Sequence, residues 1–262
     1  MPARIHCSYH KCLTVYFRKV MSASVGRFGG YRHFNSDIEA FARGRGGLCV
    51  ASVNNHALDL DSLGPCRVSR FVRDPRDLIV SGYFYHRRGA EPWCLEVDPS
   101  EDEWLAKRNR PRPSAMRPGE SLAAALQRLD LEQGLLAEIE LRSRHLDSMR
   151  EWPVDDPRVR VWRYEEILGN EARVMHDLAA HYGLPMYLRS LIRRNAARYD
   201  VRHAMASKSE HVRNPAAGQW RDVFTARVEA VFMERWGDLL DRYGYGADGI
   251  LQGGTLAAVG TY

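Results

Sequence analysis

Short apolar runs alternate with stretches of helical period along most of this chain. Residues 5–9, 31–34, 48–53, 68–72 and 158–164 read as strands, because each is brief, β-prone and bounded by turn residues. Residues 14–24 read as a first helix. Ser36 suits the cap of a short helix holding Ile38 and Phe41, stopped by Gly44, Gly46 and Gly47. After the fourth strand, Asp74 suits an N-cap and Pro75 the first helical position. Leu78, Ile79, Gly82, Tyr83 and His86 then share one helical face. Asp130 and Gln133 form a capping box before a stripe of Leu131, Leu135 and Ile139, which reads as core. Residues 171–182, 187–197 and 223–243 complete the helical pattern. Strands alternating with helices imply one α/β domain with a mostly parallel, doubly wound central sheet flanked by helices.

Residues 87–120 break the pattern with Pro92, Pro99, Pro111, Pro113 and Pro118 and dense charge of both signs. A connection of that length is read as a substrate-side lid or loop insertion, and the charge in 101–112 as a solvated loop. The domain is expected over residues 1–245, with 246–262 a flexible, glycine-rich tail.

Composition narrows the class. The chain has 262 residues, 45% of them hydrophobic and 27% charged, as in a water-soluble globular protein. No run approaches the ~20 apolar residues of a membrane span, and the first residues lack a signal-peptide core. Cys7, Cys12, Cys49, Cys66 and Cys94 are odd in number and show no CxxC pair. They fit reduced thiols in a cytoplasmic chain better than disulfides or a zinc site, so no metal is expected. The net charge of +5 points to an anionic ligand rather than to nucleic acid, which needs the charge gathered on one face.

Two junctions carry candidate chemistry. In the first, His10-Lys11-Cys12-Leu13-Thr14 leads from strand to helix, where free backbone N–H groups favour an anion. Lys11 adds a charge and Thr14 a hydroxyl, but the GxxxxGK[ST] spacing of a Walker A loop is absent. In the second, Arg73 ends a strand and Ser81 follows on the next helix, an arginine fork and a hydroxyl suited to a phosphate. Two anion sites on one sheet edge suit a ligand with two separated phosphates, such as an adenosine 3′,5′-bisphosphate.

These segments together resemble the sulfotransferases that use 3′-phosphoadenosine 5′-phosphosulfate (PAPS). Their 5′-phosphosulfate loop, roughly Pro-Lys-Ser-Gly-Thr-Thr-Trp, aligns with His10-Lys11-Cys12-Leu13-Thr14-Val15-Tyr16. Leu13 stands at the family glycine, a position where φ > 0 would strain leucine. The 3′-phosphate segment, roughly Arg-Asn/Asp-Pro-Arg-Asp with a serine eight residues after the first arginine, aligns with Arg73-Asp74-Pro75-Arg76-Asp77 and Ser81. Tyr164, in Arg163-Tyr164-Glu165-Glu166-Ile167, matches a tyrosine near the adenine. Arg213-Asn214-Pro215-Ala216-Ala217-Gly218-Gln219-Trp220 resembles the late Arg-Lys-Gly-x-x-Gly-Asp-Trp loop, with Asn214 and Pro215 as departures.

The resemblance implies a P-loop-NTPase-like sulfotransferase architecture and the transfer of a sulfuryl group from PAPS to a hydroxyl or amine. The donor would be held by Lys11, Cys12, Leu13, Thr14, Val15, Arg73, Ser81, Tyr164 and Arg213. Lys11 would stabilise the leaving phosphate, and His56, after the third strand, would be the general base. Glu39, then Asp37, compete for that role by analogy with the glycan-modifying branch. The acceptor class spans small molecules, glycans and lipids. Two other readings are a P-loop-like nucleotide kinase or NTPase, and an inactive homologue that only binds the bisphosphate.

Overall fold

The computed structural model describes residues 2–34, 49–54, 58–97, 99–200 and 214–252. Its centre is a five-stranded sheet of β1 (Ala3–Ser8), β2 (Tyr31–Phe34), β3 (Val50–Asn54), β4 (Cys66–Val72) and β5 (Val159–Arg163). The order is β2-β3-β1-β4-β5 and every ladder is parallel. All six residues of β1 are buried, as the centre of a sheet covered on both faces requires. The expected α/β class, with a parallel sheet flanked by helices, is the one observed.

The helices are α1 (Thr14–Ala23), α2 (Pro75–Arg87), α3 (Glu101–Arg108), α4 (Leu122–Arg128), α5 (Leu131–Glu151), α6 (Tyr164–Ile167), α7 (Glu171–His181), α8 (Met186–Arg198), α9 (Trp220–Val223), α10 (Ala226–Trp236) and α11 (Asp238–Arg242). Internal contacts fall into two compact units. One holds Met1–Arg73 with Trp152–Ala216; the other holds Asp74–Glu151 with Ala217–Gly253.

In the first unit the sheet core contains an aromatic column. His6 stacks on Phe17 with ring centroids 3.7 Å apart, and Phe71 meets His6 edge-on at 4.5 Å. His6 Nδ1 lies 2.8 Å from Ser69 Oγ, which bonds in turn to the Tyr182 hydroxyl. Burial, with Arg70 and His33 adding to it, holds the His6 imidazole well below its ordinary pKa, so it is neutral. Strand and helix are thus fastened together three residues after α1 begins.

In the second unit, residues 87–120 are more ordered than the prolines suggested. The charged stretch read as a solvated loop forms α3. Ser100 accepts from Glu103 N while Glu103 accepts from Ser100 N, a reciprocal cap that outweighs the loop-like composition. Trp104 is fully buried, so α3 also contributes to a core. Of the expected core stripe, Leu135 and Ile139 are buried, but Leu131, the first residue of α5, is 42% exposed. Residues 246–252, placed in the tail by composition, close a turn through Tyr245 and Leu251. Its Gly246 and Ala247 carbonyls accept from Arg76.

The five cysteines are thiols outside any disulfide, and all but Cys49 are buried. No described helix is long and apolar enough to cross a membrane. Among the described residues, no cluster of His, Cys, Asp and Glu is placed to hold a metal ion. The expected short helix after Ser36 lies outside the described residues.

Candidate nucleotide-binding site

Three chain segments leave the sheet at the carboxyl ends of neighbouring strands. Ser8 of β1 pairs with Phe71 of β4, and Val72 pairs with Arg163 of β5. The loop to α1, Arg73, and Tyr164 therefore share one edge, where open parallel sheets bind ligands.

The first loop is anchored at both ends. Tyr9 is buried and its ring lies under the Arg70 guanidinium, 4.4 Å from the centroid. Arg70 is itself buried and also lies 3.9 Å from the Trp152 ring. At the far end Phe17 N donates to Leu13 O at 2.9 Å and Phe17 rests on His6. Between these anchors Cys12 N donates to Tyr9 O. Lys11 has φ 76° and Leu13 has φ 59°.

Leu13 is the N-cap of α1 in the left-handed region, so the family glycine corresponds to a backbone that glycine adopts without strain. A left-handed conformation costs an L-residue ~1–2 kcal/mol. Part of that gain is offset by the entropy glycine loses on folding, ~0.5–1 kcal/mol. Leu13→Gly is therefore expected to stabilise the fold by up to ~1.5 kcal/mol. A lower urea midpoint for the variant would refute this account of the loop.

The N-terminus of α1 suits an anion. Leu13 provides no side-chain cap and the first turn carries no acidic residue. Its N–H groups and positive dipole end stay available. Lys11, Leu13 and Thr14 are part-exposed, Val15 is exposed and Cys12 is buried. The expected donor-binding role of Cys12 is not favoured by this geometry, since its side chain is buried and its N–H is engaged by Tyr9 O, while Lys11 and Thr14 present part-exposed side chains.

Arg73 is 3% exposed. Its guanidinium lies 4.3 Å from the centroid of the Tyr164 ring and Nη2 donates to Ala216 O at 3.1 Å. The Tyr164 hydroxyl donates to Pro215 O at 2.7 Å. Tyr164 is the first residue of α6, fixed because Glu166 accepts from both the amide and the guanidinium of Arg163. The structure therefore joins two residues from separate sequence motifs, Arg73 and Tyr164, and ties both to the late loop at 215–216.

Asp74, Arg76 and Asp77 of the arginine motif hold the fold together, and of these roles the sequence revealed only the Asp74 cap. Asp74 Oδ1 accepts from Arg76 N, the expected cap of α2, and its carboxylate pairs with the Arg76 guanidinium at 2.8 Å. Arg76 also stacks on Trp220, 3.6 Å from the ring centroid. Asp77 accepts from Gly218 N at 2.7 Å and Trp220 N at 3.0 Å. Gly218 has φ 78°, which explains a glycine there. Arg76 and Asp77 thus secure the Gly218–Trp220 part of the late loop within the second unit. Ser81 lies in that unit too, half-buried at the seventh position of α2.

His56, Glu39, Asp37 and Arg213 lie outside the described residues. Asn54, the last residue of β3, pairs with Ser8, so the strand before His56 ends at the same edge as β1.

Two solved structures share this architecture. The chain is similar to mouse sulfotransferase SULT7A1 complexed with PAP, with a TM-score of 0.54 and 17% identity. The match covers 91% of this chain and 84% of that one. The chain has the sulfotransferase fold. It is also similar to retinol dehydratase in a complex with retinol and PAP, with a TM-score of 0.53, 15% identity, and 92% and 82% covered. No family model matches the sequence, and no curated protein does. At these identities the fold is shared while most side chains differ.

Proposed function

We propose that this protein transfers a sulfuryl group from PAPS to a hydroxyl or amine of an acceptor, releasing adenosine 3′,5′-bisphosphate. The observation that carries the reading is Arg73, a buried cation seated on Tyr164 at the same sheet edge as the uncapped start of α1. The donor set fits the nucleotide: two separate cations, a run of backbone N–H groups, a hydroxyl at Thr14, and an aromatic ring. Both solved structures named above contain PAP, which agrees with that ligand class.

Each residue has a definite task in this reading. The N–H groups from Leu13 to Val15 and the Thr14 hydroxyl bind the 5′-phosphate end. Arg73 and Ser81 hold the 3′-phosphate, and Arg213 adds a third donor. Tyr164 offers its ring edge to the adenine while its face orients Arg73. Lys11 places a positive charge where negative charge develops as the leaving phosphate departs. His56 takes the proton from the acceptor, since an imidazole with ordinary pKa ~6.5 suits abstraction near neutrality. PAPS, when bound, supplies an activated sulfuryl group that needs positioning and charge stabilisation rather than covalent help from the protein.

The acceptor is a small molecule, glycan or lipid bearing a nucleophilic oxygen or nitrogen. The experiment is a screen with sulfur-labelled PAPS against panels of phenols, alcohols, amines and saccharides. Label appearing in one acceptor class, with stoichiometric bisphosphate, is the expected result. Bisphosphate binding without transfer to any panel member would instead favour an inactive nucleotide-binding protein.

A further inference from the structure

The second unit contains a buried charged row that the donor reading does not use. Gly134, Glu138 and Arg142 recur every fourth residue along α5, so they form one line on that helix. All three meet α2. Glu138, fully buried, accepts from Arg142 Nε and lies 2.7 Å from His86 Nδ1. Arg110 Nη1 approaches His86 Nε2 at 3.5 Å.

Glycines make the fit possible from both sides. A Cβ on Gly82 of α2 would collide with Glu138 Oε1 and would lie 2.6 Å from Arg142 Nε. A Cβ on Gly134 of α5 would overlap the Tyr83 ring, 3.1 Å from Cζ and closer still to Cε2. Each helix therefore provides a notch for a side chain of the other. Arg142 Nη2, which also faces Gly82, has no hydrogen-bond partner among the described residues.

Stability alone does not account for such a row. Buried ion pairs contribute little net stability compared with apolar side chains of the same volume, because desolvation offsets the attraction. What two interlocked notches and an oriented carboxylate do provide is a single register. Sliding α2 by one residue moves its side chains ~1.5 Å along the axis and turns them ~100°, beyond the tolerance of a hydrogen bond.

We infer that Gly82, Glu138 and Arg142 form a positioning device for the donor site, fixing the register of α2 and so the direction of the Ser81 hydroxyl one residue away. This inference rests on the donor reading above. It assigns Glu138, 57 residues beyond Ser81, a part in nucleotide affinity without contact to the nucleotide.

A double-mutant cycle tests it. Calorimetry on the full chain would compare wild type, Glu138→Gln, Ser81→Ala and the double variant, with adenosine 3′,5′-bisphosphate and adenosine 5′-phosphate as probes. Each single change is expected to weaken bisphosphate binding ~10-fold and to leave adenosine 5′-phosphate unchanged. The double variant should bind no more weakly than the poorer single variant. Losses that multiply, losses equal for both nucleotides, or a folded Glu138→Gln with wild-type affinity would overturn the positioning role. Should Glu138→Gln fail to fold, Arg142→Lys takes its place in the cycle with the same expected and contrary outcomes, since it keeps a cation but loses the planar fork. A wild-type protein that binds neither nucleotide would overturn the donor reading, and this inference with it. A wild type that binds the bisphosphate while the losses multiply overturns the inference alone.

Discussion

Lys11→Ala is expected to lower sulfuryl transfer ~10²–10³-fold, the usual loss when one preorganised donor to a developing charge is removed. Lys11 has φ 76° and sits two residues before the N-cap of α1, on a loop fastened at Tyr9 by Arg70 and at Phe17 by His6. Those anchors do not involve the Lys11 ammonium, so the loop should keep its path. Affinity for adenosine 3′,5′-bisphosphate should fall much less than turnover, because the backbone donors of the first turn remain. The check is steady-state kinetics beside calorimetry on the same preparation. Wild-type turnover would remove Lys11 from the mechanism. Equal losses in turnover and affinity would make it a binding residue only.

Arg73→Ala should weaken the bisphosphate by ~1.5–3 kcal/mol, the range for a lost hydrogen bond to a charged group. The loss has two parts. The cation at the sheet edge disappears, and the Tyr164 ring loses the guanidinium 4.3 Å from its centroid. Arg73→Lys is expected to recover little, since an ammonium lacks the planar fork that can rest on a ring while donating in two directions. Adenosine 5′-phosphate should bind almost as before. An unchanged bisphosphate affinity would place the 3′-phosphate elsewhere.

Much of this arrangement was readable from local sequence. Asp74 and Pro75 mark the start of α2 because capping is a property of adjacent residues, and the cap is present. The alternation of elements implied a parallel sheet, and the order places the loop after β1 beside Arg73. Leu13 was suspect because the resemblance put it at a glycine, and its backbone is left-handed.

What stayed hidden depends on contacts distant in sequence. Arg70 holds Tyr9 across 61 residues, and nothing near Arg70 in the chain announces it. Asp77 was legible only as the last residue of the Arg73–Asp77 motif, yet it binds amides at Gly218 and Trp220. His86 seemed unremarkable because its partner Glu138 lies 52 residues away on another helix. The helix at Glu101–Arg108 was masked by composition, since dense charge and nearby prolines resemble a loop until the Ser100–Glu103 cap is noticed.

In the proposed reading, the carboxyl edge of this sheet holds a nucleotide carrying separate 3′ and 5′ anionic groups. Calorimetric titration of the wild-type protein with adenosine 3′,5′-bisphosphate, adenosine 5′-phosphate and ATP-Mg²⁺ would measure this preference. The bisphosphate should bind at least ~10-fold more tightly than adenosine 5′-phosphate, the difference expected from one charged contact at the 3′ position. Tight binding of ATP-Mg²⁺ with no binding of the bisphosphate would contradict it.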